Sequence, residues 1–359
     1  MSLTRRHFAG LCAALGTLPM APLASALGAP AFLSAYRDEN GDYGVAALDD
    51  MGALLFTERL PGRGHDTVCA PNGQTAITFA RRPGRFALAI DLKDRNIPYA
   101  FEAAPNRHFY GHGFFSPDGR LLYATENAYE DERGVIGIYD VEAGYQRIGE
   151  FDTHGIGPHE AILMADKRTI AVANGGILTH PDFPRWKLNL ANMVPSLAYI
   201  DLETGDLQEL VALPPSLHQL SIRHMAQAGD RSIWFGGQFE GTRAEIVPLI
   251  GRHRRGSEIE LINLPDPALS RLNHYIASVK ASADGERIAV TSSRGNMAYV
   301  LDAIDHRIIE SIPLTDVSGC APLGNHFCFT TGQGALRGTR DTQLDLSFDN
   351  HLTGLLGVA

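Results

Sequence analysis

The chain has 359 residues, a formal net charge of -10 and 44% hydrophobic residues, enough apolar content for a packed core without any low-complexity stretch. The acidic balance argues against nucleic acid as a partner, because phosphate binding needs a basic face. The one dense cation cluster, Gly251 to Gly256, reads as a solvated loop.

At the N-terminus, Arg5 and Arg6 precede an uncharged run from Phe8 to Leu18, too short to cross a bilayer, and Ala24, Ser25 and Ala26 supply the small residues of a cleavage site. Residues 1–26 therefore read as a signal peptide whose arginine pair is of the twin-arginine type, and the expected location is the periplasm. Residues 27–359 form the expected single domain, with no membrane span. Loss of Arg5 and Arg6 takes its charge to -12. It keeps Cys69, Cys320 and Cys328, too few for a disulfide scaffold. Cys320 and Cys328 lie four residues either side of Gly324, so a hairpin turning there would set them opposite each other, where a bridge could form.

Along the mature chain a four-strand unit repeats. Turn-like clusters begin at Pro71, Pro117, Ala165, Ala228, Ala283 and Leu323, and are 46, 48, 63, 55 and 40 residues apart. Each is followed by a short strand rich in β-branched, aromatic or small residues, such as "QTAITFA", "RLLYATE" and "RIAVTSS". A third strand then ends in aspartate, as in "IGIYDV", and a fourth follows, as in "LQELVAL". Four short strands at this period, with no comparable helical pattern, predict an all-β propeller of four-stranded blades. Six turns give six units. The stretch from Phe32 to Leu60 is a seventh without its innermost strand, and "TQLDLSFDNHL" near the C-terminus is the segment left to supply it. That closure joins the chain ends and removes an exposed sheet edge.

In such a ring the innermost strand lines the axis, so its beginning and the end of the second strand share the face opposite the turn. Ligand-type residues collect there. His65 and Asp66, His112, and His159 with Glu160 stand seven or eight residues before the end of their turn; His108, His154, His218, His224 and His274 fall in the same lead-in segments with looser register. Second strands end in Arg81, Glu126 with Asn127, Asn174, Gln238 and Arg294, and His180 lies in a long loop on that face. Eight of fourteen histidines in lead-in segments, in a chain with four lysines, point to a ligand site at the channel mouth. Long second-to-third connections, "GGILTHPDFPRWKLNLANMVPS" above all, would ring it.

Neutral imidazoles beside carboxylates suit iron, copper or zinc, and His112, His159 and His224 are the expected metal ligands. There is no CxxC, no CxxCH and no helical His pair, so the site depends on convergence from separate blades. A hydrolytic site is the alternative, with His159 or His112 as base, Glu160 or Glu126 orienting it and Arg223 or Arg294 stabilising an oxyanion. A non-catalytic interaction platform is the third reading.

The stretches "GHGFFSPDGRLLYATEN", "THGIGPHE", "VANGGILTHPD", "LHQLSIRHMA" and "DNHL" resemble the signatures of a bacterial family of unknown function, twin-arginine-exported seven-bladed propellers of the YVTN and lactonase-like superfamily. The resemblance spans nearly the whole mature chain and implies a periplasmic propeller. It also implies gene neighbours of the imelysin iron-uptake type, and hence periplasmic iron-uptake proteins as partners. It assigns no catalytic residue. Small departures from the family pattern are Lys167 where the turn usually has glycine and Leu352 after "DNH".

Overall fold

A computed structural model describes residues 29–355 apart from 82, 83, 184 and 185; the signal peptide read over residues 1–26 lies outside the described residues. Seven antiparallel sheets follow one another along the chain, each of four strands in sequence order except the first. In that first blade the strands Phe32–Asp38, Tyr43–Leu48 and Leu54–Arg59 are completed from the C-terminus, because Leu346–Phe348 and Thr353–Gly354 both pair with Phe32–Asp38. The protein is a seven-bladed β-propeller, closed as its sequence predicts. One detail differs. Thr342–Gln343, the start of the expected closing segment, is the outermost strand of the seventh blade instead.

Burial follows position in the blade. Second strands such as Thr169–Asn174 are buried along their whole length, since neighbouring blades cover both faces, and they read as continuous apolar runs rather than alternations. Outer strands such as Leu207–Ala212 are half wet and carry charge. Between blades the large side chains pack. Trp234, Phe235 and Tyr199 belong to one cluster, and Phe79, Phe109 and Tyr139 to another.

The six turns lie on one face, and each holds a residue at positive φ where the strand reverses: Gly73, Gly119, Lys167, Arg231, Gly285 and Gly324. The long connection on the opposite face runs over residues 175–195. The connection after Ile233–Phe239 is shorter than the sequence suggests, because Ile250–His253 is already the third strand. Most of the cation cluster is therefore strand and tight turn, not open loop.

The seventh-blade hairpin pairs Cys320 with Phe329 and Ala321 with Cys328. The register is one residue away from the symmetric one, which puts the two thiols on opposite faces of the sheet. Both are free. Burial raises both thiol pKa values, that of Cys328 to about 12.

Candidate functional site

Five innermost strands break their register where the lead-in residues stand. Two residues or more of the inner strand face fewer on the second strand at Gly64/Thr67, Phe109/Gly113, Pro158/Glu160, Ile222/His224 and Val317/Gly319. A bulge of this kind re-aims a side chain that the pleat would otherwise send into the blade interface. Here the bulged or adjoining residues include His65, His112, His159 and His224. Gly111 makes the largest bulge possible, with φ +103° and no side chain where a Cβ would come within 2.5 Å of the His65 ring.

The result is a cluster of five imidazoles on the axis. His112 lies at its centre, with ring-centroid distances of 4.8 Å to His65, 5.0 Å to His159, 5.4 Å to His224 and 4.8 Å to His351. The outer four form a quadrilateral, at 6.1 Å for His65–His159, 4.7 Å for His159–His224, 4.7 Å for His224–His351 and 4.6 Å for His351–His65. His351 arrives from the C-terminal segment between the two closing strands. Ser34 Oγ donates to its carbonyl at 2.7 Å and fixes it.

Carboxylates stand behind the rings. His112 Nδ1 donates to Asp66 Oδ2 at 3.0 Å, while Asp66 Oδ1 accepts from the Thr67 N–H at 2.8 Å and from Thr353 Oγ1 at 3.2 Å. His224 Nδ1 lies 3.5 Å from Glu160 Oε2, which accepts the Met225 N–H at 2.7 Å. Burial opposes ionisation of Asp66 and Glu160, yet the hydrogen bonds from His112 and His224, with Lys280 nearby, hold both below the usual carboxylate range. Burial, with help from neighbouring positive groups, lowers all four outer imidazoles: His65 to about 3, His224 to about 4, His159 and His351 well below their ordinary value. Those four rings are neutral at neutral pH and carry a lone pair. Among the described residues, His112 Nε2, His159 Nδ1 and His351 Nε2 are buried without a hydrogen-bond partner.

Ligand atoms of His65, His112 and His159, and of His112, His224 and His351, lie within 4.8 Å of one another. Nitrogens about 2.1 Å from a tetrahedral metal stand about 3.4 Å apart, so either set would have to draw closer to hold one ion. A mouth cavity of about 340 Å³ opens over the cluster and reaches His65 and His159.

Of the other sequence candidates, Arg223, Gln238 and Arg294 line that cavity. Glu126 does not. Its carboxylate turns into the blade, where Tyr139 Oη and Arg147 donate to it, the latter at 2.9 Å, and Gly137 makes room, since a Cβ there would fall 2.0 Å from Glu126 Oε1. Asn127 Nδ2 holds the Thr179 carbonyl at 3.0 Å, and Asn174 Nδ2 holds the Thr153 carbonyl at 2.8 Å; both tie strand ends to loops. His180 lies in the long loop against Tyr129, 3.7 Å from Glu130. His274, at φ +58°, donates to the Glu245 carbonyl at 2.7 Å. His351 is the residue that sequence reasoning missed. The signal for it was there, because a strand that completes the first blade must put a lead-in histidine on the axis as the others do.

Residues 58–355 match the family described as "Protein of unknown function (DUF1513)". The chain belongs to that family. The DUF1513 chain also matches a solved structure titled "Kuenenia stuttgartiensis Hydrazine Synthase", at 13% identity and a TM-score of 0.61, covering 96% of this chain and 100% of that one. At that identity the likeness is one of fold. No curated protein matches the chain. Among the described residues of this DUF1513 member no helix is long and apolar enough to cross a membrane.

Proposed function

We propose that the protein binds a borderline transition-metal ion, iron, copper or zinc, through the imidazoles on its axis. The observation that carries the reading is the trio of buried, partnerless nitrogens on His112, His159 and His351. An unpaired buried polar atom costs about 1–3 kcal/mol, and such atoms are rare in folded proteins unless something uses them. A metal ion would accept the His112 lone pair together with that of His159 in one set or of His351 in the other. Imidazole donors without a thiolate suit iron, copper and zinc better than magnesium or calcium. Asp66 behind His112 gives the carboxylate–histidine arrangement that orients a ligating ring and raises its basicity.

The periplasmic setting and the iron-uptake neighbourhood implied by the family resemblance give such a site a role as an accessory to iron acquisition, holding or relaying the ion for other periplasmic proteins. The test is metal retention. Chelator-stripped protein offered Fe(II), Cu(II) or Zn(II) and passed through gel filtration should keep one of them near-stoichiometrically, and the double variant His112→Ala, His351→Ala should keep none while its circular dichroism is unchanged. Wild-type protein that retains none of the three removes the reading.

A further inference from the structure

The cavity wall over the imidazoles carries charge that metal ligation does not use. Arg81, Lys187, Arg223 and Arg294 line it, with no acid among the described lining residues, in a chain whose formal charge is -10. They come from separate elements: the end of the second strand of the second blade, the 175–195 loop, the bulge of the fifth inner strand and the turn after Arg287–Ser292. Two buried acids stand behind them. Glu240 pairs with Lys187 and lies 3.8 Å from Arg223, and Asp349 lies 3.1 Å from Arg81. Four cations against two acids leave the vestibule positive. Arg294 makes no ion pair among the described residues; its guanidinium is exposed and lies 4.6 Å over the Tyr275 ring, which sets the plane it presents to the cavity. Gln238 and Tyr275 add neutral polar groups.

The geometry points to a binding site in this vestibule for a small, multiply charged oxyanion, a polycarboxylate or a phosphate. Planar guanidiniums match both groups with paired hydrogen bonds. A cavity of about 340 Å³ is at the low end for small-molecule sites and fits an anion of that class. Placed there, the anion would face the open side of the imidazole cluster and supply the oxygen ligands that the protein does not. This deepens the metal reading and rests on it for the metal's part only; the anion site stands on the cations.

Isothermal titration calorimetry with citrate and with inorganic phosphate, and with glucose as the neutral control, tests it on metal-loaded and on chelator-treated protein. Citrate or phosphate should bind and glucose should not, with affinity falling as sodium chloride is raised. Arg294→Gln should weaken the anion at least about tenfold with metal content unchanged, because that change leaves no carboxylate unpaired. Arg254→Gln, on the turn face, should leave binding unchanged. Preference for citrate or phosphate tells carboxylate from phosphate recognition. Protein that retains metal but ignores both anions, or binds them equally after Arg294→Gln, overturns the inference and leaves the metal reading standing. Protein that binds the anion through Arg294 yet retains no metal overturns the metal reading instead.

Discussion

On the turn face of the disc, polar side chains close on the backbone. Asp118 Oδ1 accepts from Ser116 Oγ and the Arg120 N–H, Asp166 from Arg168, Thr169 N–H and Thr169 Oγ1, and Asp284 from Ser282 Oγ and the Glu286 N–H. His253 on the same face is as buried as His112, and both its nitrogens are used, by Tyr199 Oη at 2.7 Å and by the Ser257 carbonyl at 2.9 Å. At the mouth the buried His112 and His351 and the half-buried His159 each keep a nitrogen unused. The difference teaches that burial and residue type do not separate a structural histidine from a ligand; unsatisfied imidazoles gathered at one opening do, since His306 Nε2 on the turn face is also unpartnered but has no second histidine ring against it among the described residues. One face spends most of its polar groups on the turns, and the other holds several imidazoles open around one axis.

The largest break in this comparison should come from a polar group that looks like the mouth and is not. Glu126→Ala removes the buried carboxylate to which Tyr139 and Arg147 donate, leaving Arg147 to Glu150 alone, and should cost about 1–3 kcal/mol, read as a lower denaturant midpoint, with metal retention unchanged in the folded fraction. Next, Asp66→Asn replaces the charged acceptor that holds the His112 ring with a neutral one and should weaken metal affinity about 10–100-fold by competition with a chelator; an unchanged affinity would make Asp66 a fold residue like Asp118.

The apoprotein should also be acid-sensitive. His65 and His224 are held near 3 and 4 in the fold, below the ~6.5 of an unfolded histidine. The unfolded chain therefore binds more protons across that window, so the stability is fully present above about pH 6.5 and is lost as pH falls toward 4 and 3. Denaturant midpoints should drop between about pH 7 and pH 4.5, and His224→Gln should flatten the slope. A flat wild-type profile would mean the rings are not buried as neutral groups. The smallest effect belongs to the turn face. Lys167→Gly relieves a left-handed residue at φ +58° and should raise stability by up to about 1 kcal/mol, with the mouth unaffected.

The fold was legible because the turns have sharp chemistry and the strands recur between them. The closing strand was legible because a blade lacking its inner strand admits only one source. The site was legible in part. His65, Asp66, His112, His159 and Glu160 share a register counted back from the turn, which the sequence displays directly, and His224 falls in the same lead-in segment with looser register. Glu126, Asn127 and Asn174 were drawn in by their position at strand ends, where one residue of parity decides between axis and blade interior; bulges such as that at Gly111 set this parity and leave no pattern in the sequence. His180 and His274 sit on loops whose paths depend on tertiary contacts. His351 follows no turn, so counting from turns passed over it. The same one-residue sensitivity misjudged the Cys320–Cys328 pairing.

The central claim is that imidazoles from three separate blades share one ion. Diffraction recorded above and below the iron, copper and zinc absorption edges, from crystals of protein reloaded with the retained metal, should give a single strong anomalous peak about 2.0–2.1 Å from His112 Nε2 and within reach of His159 or His351. Anomalous density confined to peripheral histidines such as His180, with the axial rings bare, would contradict it.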